Sequence, residues 1–166
     1  AFVFAVAVAC TTSGGVILGL GALADRVISA NLLDADGTNI LFDLGFQMLT
    51  WLSLTWSLLH DTLGPRVCGM CGLSLAATGN LIIGLSVSHS ISNPYVYAVG
   101  YGLIGGGGNG AYVTAFHFTS LFTRRRALCV SILAASFNVA GFAYLALNIA
   151  TLPLSGFFFG YAAYTC

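Results

Sequence analysis

Apolar residues run through this chain in blocks of about 20, separated by short polar, Pro or Gly segments. The blocks cover Phe2 to Ala24, Asn39 to Leu59, Val67 to Val87, Tyr95 to Phe122 and Leu128 to Ile149, and a sixth opens near Leu154. A 20-residue helix rises about 30 Å, the thickness of a bilayer's hydrocarbon core. Five blocks are therefore long enough to span. The sixth, read from Leu154 to Cys166, would rise only about 20 Å and is unfinished. The apolar/polar alternation of barrel strands is missing, so the pattern predicts helices. Breaks are expected near residues 25–38, 60–66, 88–94, 123–127 and 150–153. Four of these have a cause in single residues: the polar Asp34, Asp36 and Gly37, then Gly64-Pro65, Asn93-Pro94 and Leu152-Pro153. Proline lacks the donor that a helix interior needs but suits a first turn.

Composition sharpens this reading. Hydrophobic residues make up 58% of the 166 positions and charged ones 6%, against about 25% charged in soluble domains. Mean hydropathy is +0.93. Neither Lys nor Glu occurs, and five Arg balance five Asp. So few charges cannot cover a water-facing surface, which excludes a soluble enzyme, a nucleic-acid binder and a disordered chain. The expectation is all-α: a polytopic transmembrane bundle of five full spans and a truncated sixth, one unit over residues 1–166. Residue 1 is Ala and already apolar, and the last residues stop inside another apolar run, so both ends read as cut.

Orientation follows from arginine. The loops after the second and fourth blocks carry Arg66, Arg124, Arg125 and Arg126. Those after the first and third carry only Arg26, beside Asp25, Asp34, Asp36 and Asp43. The positive-inside rule places the N-terminus and the Arg-rich loops in the cytosol.

The loop Ser57-Leu-Leu-His-Asp61-Thr-Leu-Gly64-Pro65-Arg66 combines an acid at a helix end, a Gly-led turn and a base opening the next helix. The acid can accept hydrogen bonds from a helix N-terminus, and the Arg can reach a carboxylate or a lipid phosphate. Such a pair can lock one conformation and release in another. An ordinary interfacial loop with a snorkelling Arg reads the same way.

Other positions carry weaker signals. Gly102, Gly106 and Gly110, like Gly15 and Gly19, are spaced four apart and let helix backbones approach, as sliding faces or as static packing. Thr11, Thr12 and Ser13 form a polar patch in the middle of the first block, where transporters bind solutes, although hydroxyls also bond back to their own helix. Asn109, Ser136 and Asn138 are similar solute-contact candidates. His117 is read inside the fourth block, as a solute or proton contact or as a partner for a neighbouring helix. Gly100, Gly102 and Gly105 spell G-x-G-x-x-G, but no acid follows Asp61, so a dinucleotide site is excluded. Cys68-x-x-Cys71 lacks the other ligands of a structural zinc site. No metal or cofactor is expected.

The sequence D-x-x-G-x-R between the second and third helices resembles the signature loop of the major facilitator superfamily. Leu59, Asp61, Gly64 and Arg66 match it, while Ser57, Thr62 and Pro65 depart from it. The Gly-Pro-Arg form and the glycine-rich fourth helix, ending in F-H-F-T-S-L-F-T-R-R-R, are similar to the large neutral amino-acid transporters of solute carrier family 43. The resemblance covers about Leu44 to Ala150. It implies the N-terminal half of a twelve-helix transporter, completed by a missing C-terminal bundle. Solute binds between the bundles and access alternates, with Asp61, Gly64 and Arg66 as the gate. The expected activity is passive movement of neutral amino acids across the lipid bilayer, not enzymatic chemistry. Alternatives are a facilitator for another small solute, such as a monocarboxylate, or a six-helix membrane scaffold without transport.

Overall fold

A computed structural model describes residues 2–145 and 153–166. Its α-helices are α1 (Phe2–Thr12), α2 (Leu20–Ser29), α3 (Ala35–Leu63), α4 (Pro65–Ser88), α5 (Pro94–His117), α6 (Arg126–Ala140) and α7 (Leu154–Thr165). Short 3-10 turns lie at Gly14–Gly19, Phe118–Leu121, Thr123–Arg125 and Gly141–Leu145. Among the described residues there is no strand, so the protein is all-helical.

The helix starts follow from local chemistry. The Asp34 side chain accepts from the Gly37 N–H at 2.7 Å and caps α3. Asn93 caps α5 through the Tyr95 N–H at 3.0 Å, with Pro94 in the first turn. α3 and α4 are separated by Gly64 alone, at φ +85°, a left-handed conformation that glycine adopts without a Cβ penalty. Pro65 then opens α4. The expected break at 150–153 lies largely outside the described residues.

The first block is not one helix. α1 ends at Thr12, a 3-10 stretch follows, and the segments Ala5–Gly19 and Leu23–Ser29 are inclined by 57°. The second helix is longer than its apolar block, 29 residues, because Asp34 starts it upstream of Asn39 and nothing stops it before Gly64. The α-helical part of the fourth block ends at His117 and that of the fifth at Ala140.

α5 is the centre of the bundle. It packs against α3, α4, α1 and the 14–19 stretch, and α4 packs in turn on α7. Its glycines face a different neighbour at each turn. Gly100 and Gly107 meet Gly79 and Gly72 of α4, where an added Cβ at Gly79 would stand 2.5 Å from the Gly100 carbonyl. Gly102, Gly106 and Gly110 instead receive Met48, Leu52 and Trp56 of α3. The stripe spaced four apart is thus a row of holes for side chains, and the close backbone approaches are made by Gly100 and Gly107 on the α4 side and by Gly108 against the Thr12 carbonyl of the first helix. Gly15 and Gly19 do face backbone, the carbonyls of Phe137 and Gly141.

The antiparallel α4–α5 pairing, with Thr114 Oγ1 donating to the Pro65 carbonyl at 3.2 Å, sets the ends of the bundle. Arg66 and Arg124 to Arg126 lie at one end. Asp25, Arg26, Asp34 and Asp36 lie at the other.

Among the described helices, Pro65–Ser88 alone is long and apolar enough to cross a membrane unaided. The bent pair in the first block qualifies only if counted as one span. This replaces five unaided spans. The near-neutral glycines and tyrosines of α5, and Asp36, Asp43, Gln47 and His60 of α3, dilute helices that are otherwise long enough. α7 is 12 residues long.

Candidate functional site

The break in the first helix brings several polar side chains together. Thr11 and Thr12 turn their hydroxyls back on the α1 carbonyls of Ala7 and Val8, an arrangement that bends helices. Gly14 and Gly15 follow, costly in a helix interior by about 1 kcal/mol each. Both are pressed by neighbours. A Cβ on Gly15 would overlap the Phe137 carbonyl, and one on Gly14 would stand 2.8 Å from the Gly105 carbonyl. The chain narrows to a 3-10 path there, a form that often marks a hinge within a helix. The Ile17 carbonyl accepts a bond from the buried Tyr101 hydroxyl at 3.0 Å.

Around this break, Thr12, Ser13 and Asn109 are buried. Gly14 lies against Asn109, whose amide donates to Ser53 Oγ of α3 at 2.6 Å. Ser13 Oγ is buried without a partner, the kind of group that calls for a bound occupant or water. One turn away, Thr12 lines a cavity of about 220 Å³ with Val8, Leu73, Tyr164, Thr165 and Cys166, and Tyr164 shares a hydrogen bond with Thr11 at 3.0 Å. An apolar cavity of about 150 Å³ adjoins it through Val8 and Leu73. The larger cleft of about 510 Å³, between residues 28–34 and Ser92–Pro94, lies at the acidic end. One Asp34 carboxylate oxygen there is already engaged in capping α3.

Of the solute-contact candidates, the fold therefore gathers Thr11, Thr12 and Asn109. Ser136 is buried but bonds back to the Leu133 carbonyl of α6 at 2.6 Å. Asn138 faces outward. His117 is not inside a span: it is the last residue of α5 and exposed, because the helix stops there and turns 3-10. Its ring lies 6.1 Å from that of His60. Ser53, Tyr101 and Tyr164 are contributors that sequence reasoning missed. The polar residues in Y-A-A-Y-T, at 161–165 of the last apolar run, were the available signal for Tyr164.

Asp61 and Arg66 do not pair with each other. Asp61 is 80% exposed and stands 3.6 Å from His60 Nδ1, while Arg66 is exposed in the first turn of α4. Gly64 provides the left-handed turn between them. Among the described residues no group of three or more His, Cys, Asp or Glu side chains is placed to hold a metal ion.

No protein-family model matches the chain, and no solved structure matches it. The chain is 28% identical over 173 aligned positions to Protein FMP42 of Saccharomyces cerevisiae. The alignment takes in 90% of this chain and 34% of the yeast protein, so the chain spans about a third of that relative's length. These findings overturn the resemblance to the major facilitator superfamily and to solute carrier family 43. The loop D-x-x-G-x-R is too short a pattern to carry a family, because a Gly-led turn between antiparallel helices, flanked by interfacial charges, arises from helix-hairpin chemistry alone.

Proposed function

We propose that this chain forms one helical bundle of a multi-pass membrane protein that moves a small, uncharged polar solute by alternating access. The observation that carries the reading is an internal pairing. Take α1–α2, α3 and α4 as one triplet and α5, α6 and α7 as the next. The first helix of each triplet packs on the middle helix of the other: α1 on α6, and α5 on α3. The two first helices touch, α1 on α5, as do the two last, α4 on α7. Corresponding helices run in opposite directions. Inverted triplets of this kind are a recurrent device of secondary transporters, with solute held where helices are discontinuous. The 3-10 break at Gly14–Gly19, beside Thr12, Ser13 and Asn109, is such a discontinuity.

The surface supports a bilayer setting. Trp51, Leu54, Leu58 and Met70 are each at least 66% exposed, and less than half of the apolar window of α4 is buried. So much outward apolar area on α3 and α4 suits lipid contact rather than water. Counted with its bend, α1–α2 is one span, and α3 and α5 reach across by length. The Arg-rich end then faces the cytosol. Among the described residues the site offers hydroxyls, an amide and backbone carbonyls but no charged group, which favours a solute without net charge.

The test is uptake by the full-length protein in vesicles, across a panel of neutral amino acids, polyols and monocarboxylates. Solute-dependent uptake weakened in apparent affinity by Ser13→Ala and Asn109→Ala supports the reading. Well-folded protein that moves none of them is a scaffold instead.

A further inference from the structure

Among the described residues, the basic end carries charge that no carboxylate neutralises. Arg124, Arg125 and Arg126 are consecutive and exposed, and no described carboxylate forms an ion pair with any of them or with Arg66. Asp61 is the last acid in the sequence, and its neighbour is His60. The backbone makes this worse. Arg126 opens α6, Arg125 is its N-cap without a capping side chain, and the first turn holds no acid. Three cations thus sit on the positive end of a helix dipole, the reverse of the favourable arrangement. α4 repeats the arrangement more weakly, with Arg66 in a first turn that also lacks an acid and a side-chain cap.

The surroundings indicate what restores the balance. The 3-10 turns before α6 fold the chain around a cleft of about 440 Å³ lined by Leu121, Phe122, Thr123, Arg124 and Arg125. Leu121 and Phe122 are exposed at one side of this cleft, and Leu128 is exposed on the first turns of α6. Guanidinium groups beside exposed apolar side chains match a ligand that is anionic at one end and hydrocarbon at the other. A freely diffusing anion would use the arginines but leave the apolar side chains in water.

We infer that the loop 121–126 binds the phosphate of an anionic phospholipid in the leaflet at that end, with Arg124 to Arg126 on the headgroup and Leu121 and Leu128 against the acyl chains. The inference rests on the membrane setting proposed above. It gives the loop a role apart from solute movement: anchoring the N-terminus of α6 to the bilayer surface.

The test is reconstitution of the full-length protein into nanodiscs of phosphatidylcholine alone or mixed with phosphatidylglycerol, with annular lipid counted by native mass spectrometry. Wild type is expected to enrich phosphatidylglycerol. The variant Arg124→Gln/Arg125→Gln/Arg126→Gln should lose roughly ten- to a hundredfold of that preference, since each Arg near an anionic surface contributes severalfold. The triple Arg→Lys variant should keep most of it and shows whether loss of charge or loss of fold is responsible. Wild type that inserts but shows no enrichment, or a Gln variant that enriches as wild type does, overturns the headgroup site alone. Inorganic phosphate that displaces the bound lipid and stabilises the detergent-solubilised protein equally well overturns lipid in favour of a free anion. Wild type that fails to enter phosphatidylcholine bilayers at all rejects the membrane setting and the site together.

Discussion

Two glycine-rich regions of this bundle behave in opposite ways. α5 carries glycine at 100, 102, 105 to 108 and 110 and remains one α-helix. The first helix carries glycine at 14, 15 and 19 and breaks. Intrinsic propensity would order them the other way, since the run in α5 is longer. The difference lies in what precedes each run as well as in what meets it. Around α5 the neighbours supply matching surface on every side: Met48, Leu52 and Trp56 from α3, Gly72, Ala76 and Gly79 from α4, and Ile17 and Thr12 from the first helix. Gly14 and Gly15 meet the Leu49 side chain and the carbonyls of Gly105 and Phe137, and they directly follow Thr11 and Thr12, whose hydroxyls bond back onto α1. Glycine permits both outcomes, and the preceding residues and packing partners choose between them.

The strongest way to break this comparison is to fill the seam. Gly79→Leu should destabilise the bundle by about 3 kcal/mol, the upper end for overpacking, because its Cβ would meet the Gly100 carbonyl at 2.5 Å. Unfolding in detergent, followed by circular dichroism, measures it; a variant as stable as wild type means that the seam is not tight. Next is Gly15→Ala, expected to cost about 2 kcal/mol. Its control is Gly21→Ala, where nothing lies within 4 Å and the change should be neutral or mildly stabilising. Equal effects at the two positions would separate the break from the close approach. Trp56→Phe keeps one aromatic ring but loses the pyrrole half of the indole and its 2.6 Å bond from Nε1 to the Gly106 carbonyl, and should cost about 1–2 kcal/mol. The smallest effect belongs to the Asn109–Ser53 pair. A double-mutant cycle to alanine should give a coupling near 0.6 kcal/mol, typical of polar contacts between membrane helices. A coupling of zero would detach Asn109 from α3.

The sequence announces most helix ends because they are written in single residues. Asp34, Gly64-Pro65 and Asn93-Pro94 each alter a local hydrogen bond or dihedral, and the observed starts follow them. The break after Thr12 is not written that way. Hydropathy averages over about 20 positions, and Thr-Thr-Ser-Gly-Gly inside an apolar run reads as continuous helix. One part of its setting, the Phe137 carbonyl against Gly15, comes from more than a hundred positions away. For the same reason Thr12 and Asn109 were legible as polar residues but not as neighbours. His117 was legible as a histidine but not as the end of α5. Ser53 and Tyr164 gave little local sign, since their roles arise from contacts with distant helices.

A helix that is mostly bare backbone has a mechanical consequence. Side chains act as springs: they change rotamer and absorb small displacements between neighbours. Between Gly100 and Gly110, α5 has few such springs, and its neighbours seat directly on its main chain. A shift of α5 must therefore carry α3 and α4 with it, as meshed gears turn together. The 3-10 stretch at Gly14–Gly19 is seated as closely, on the carbonyls of Phe137 and Gly141, and is held at its centre by the Tyr101 phenol on the Ile17 carbonyl. A rocking motion would move α3, α4 and α5 as a stiff block, and the Tyr101 phenol would carry the broken segment of the first helix along with it.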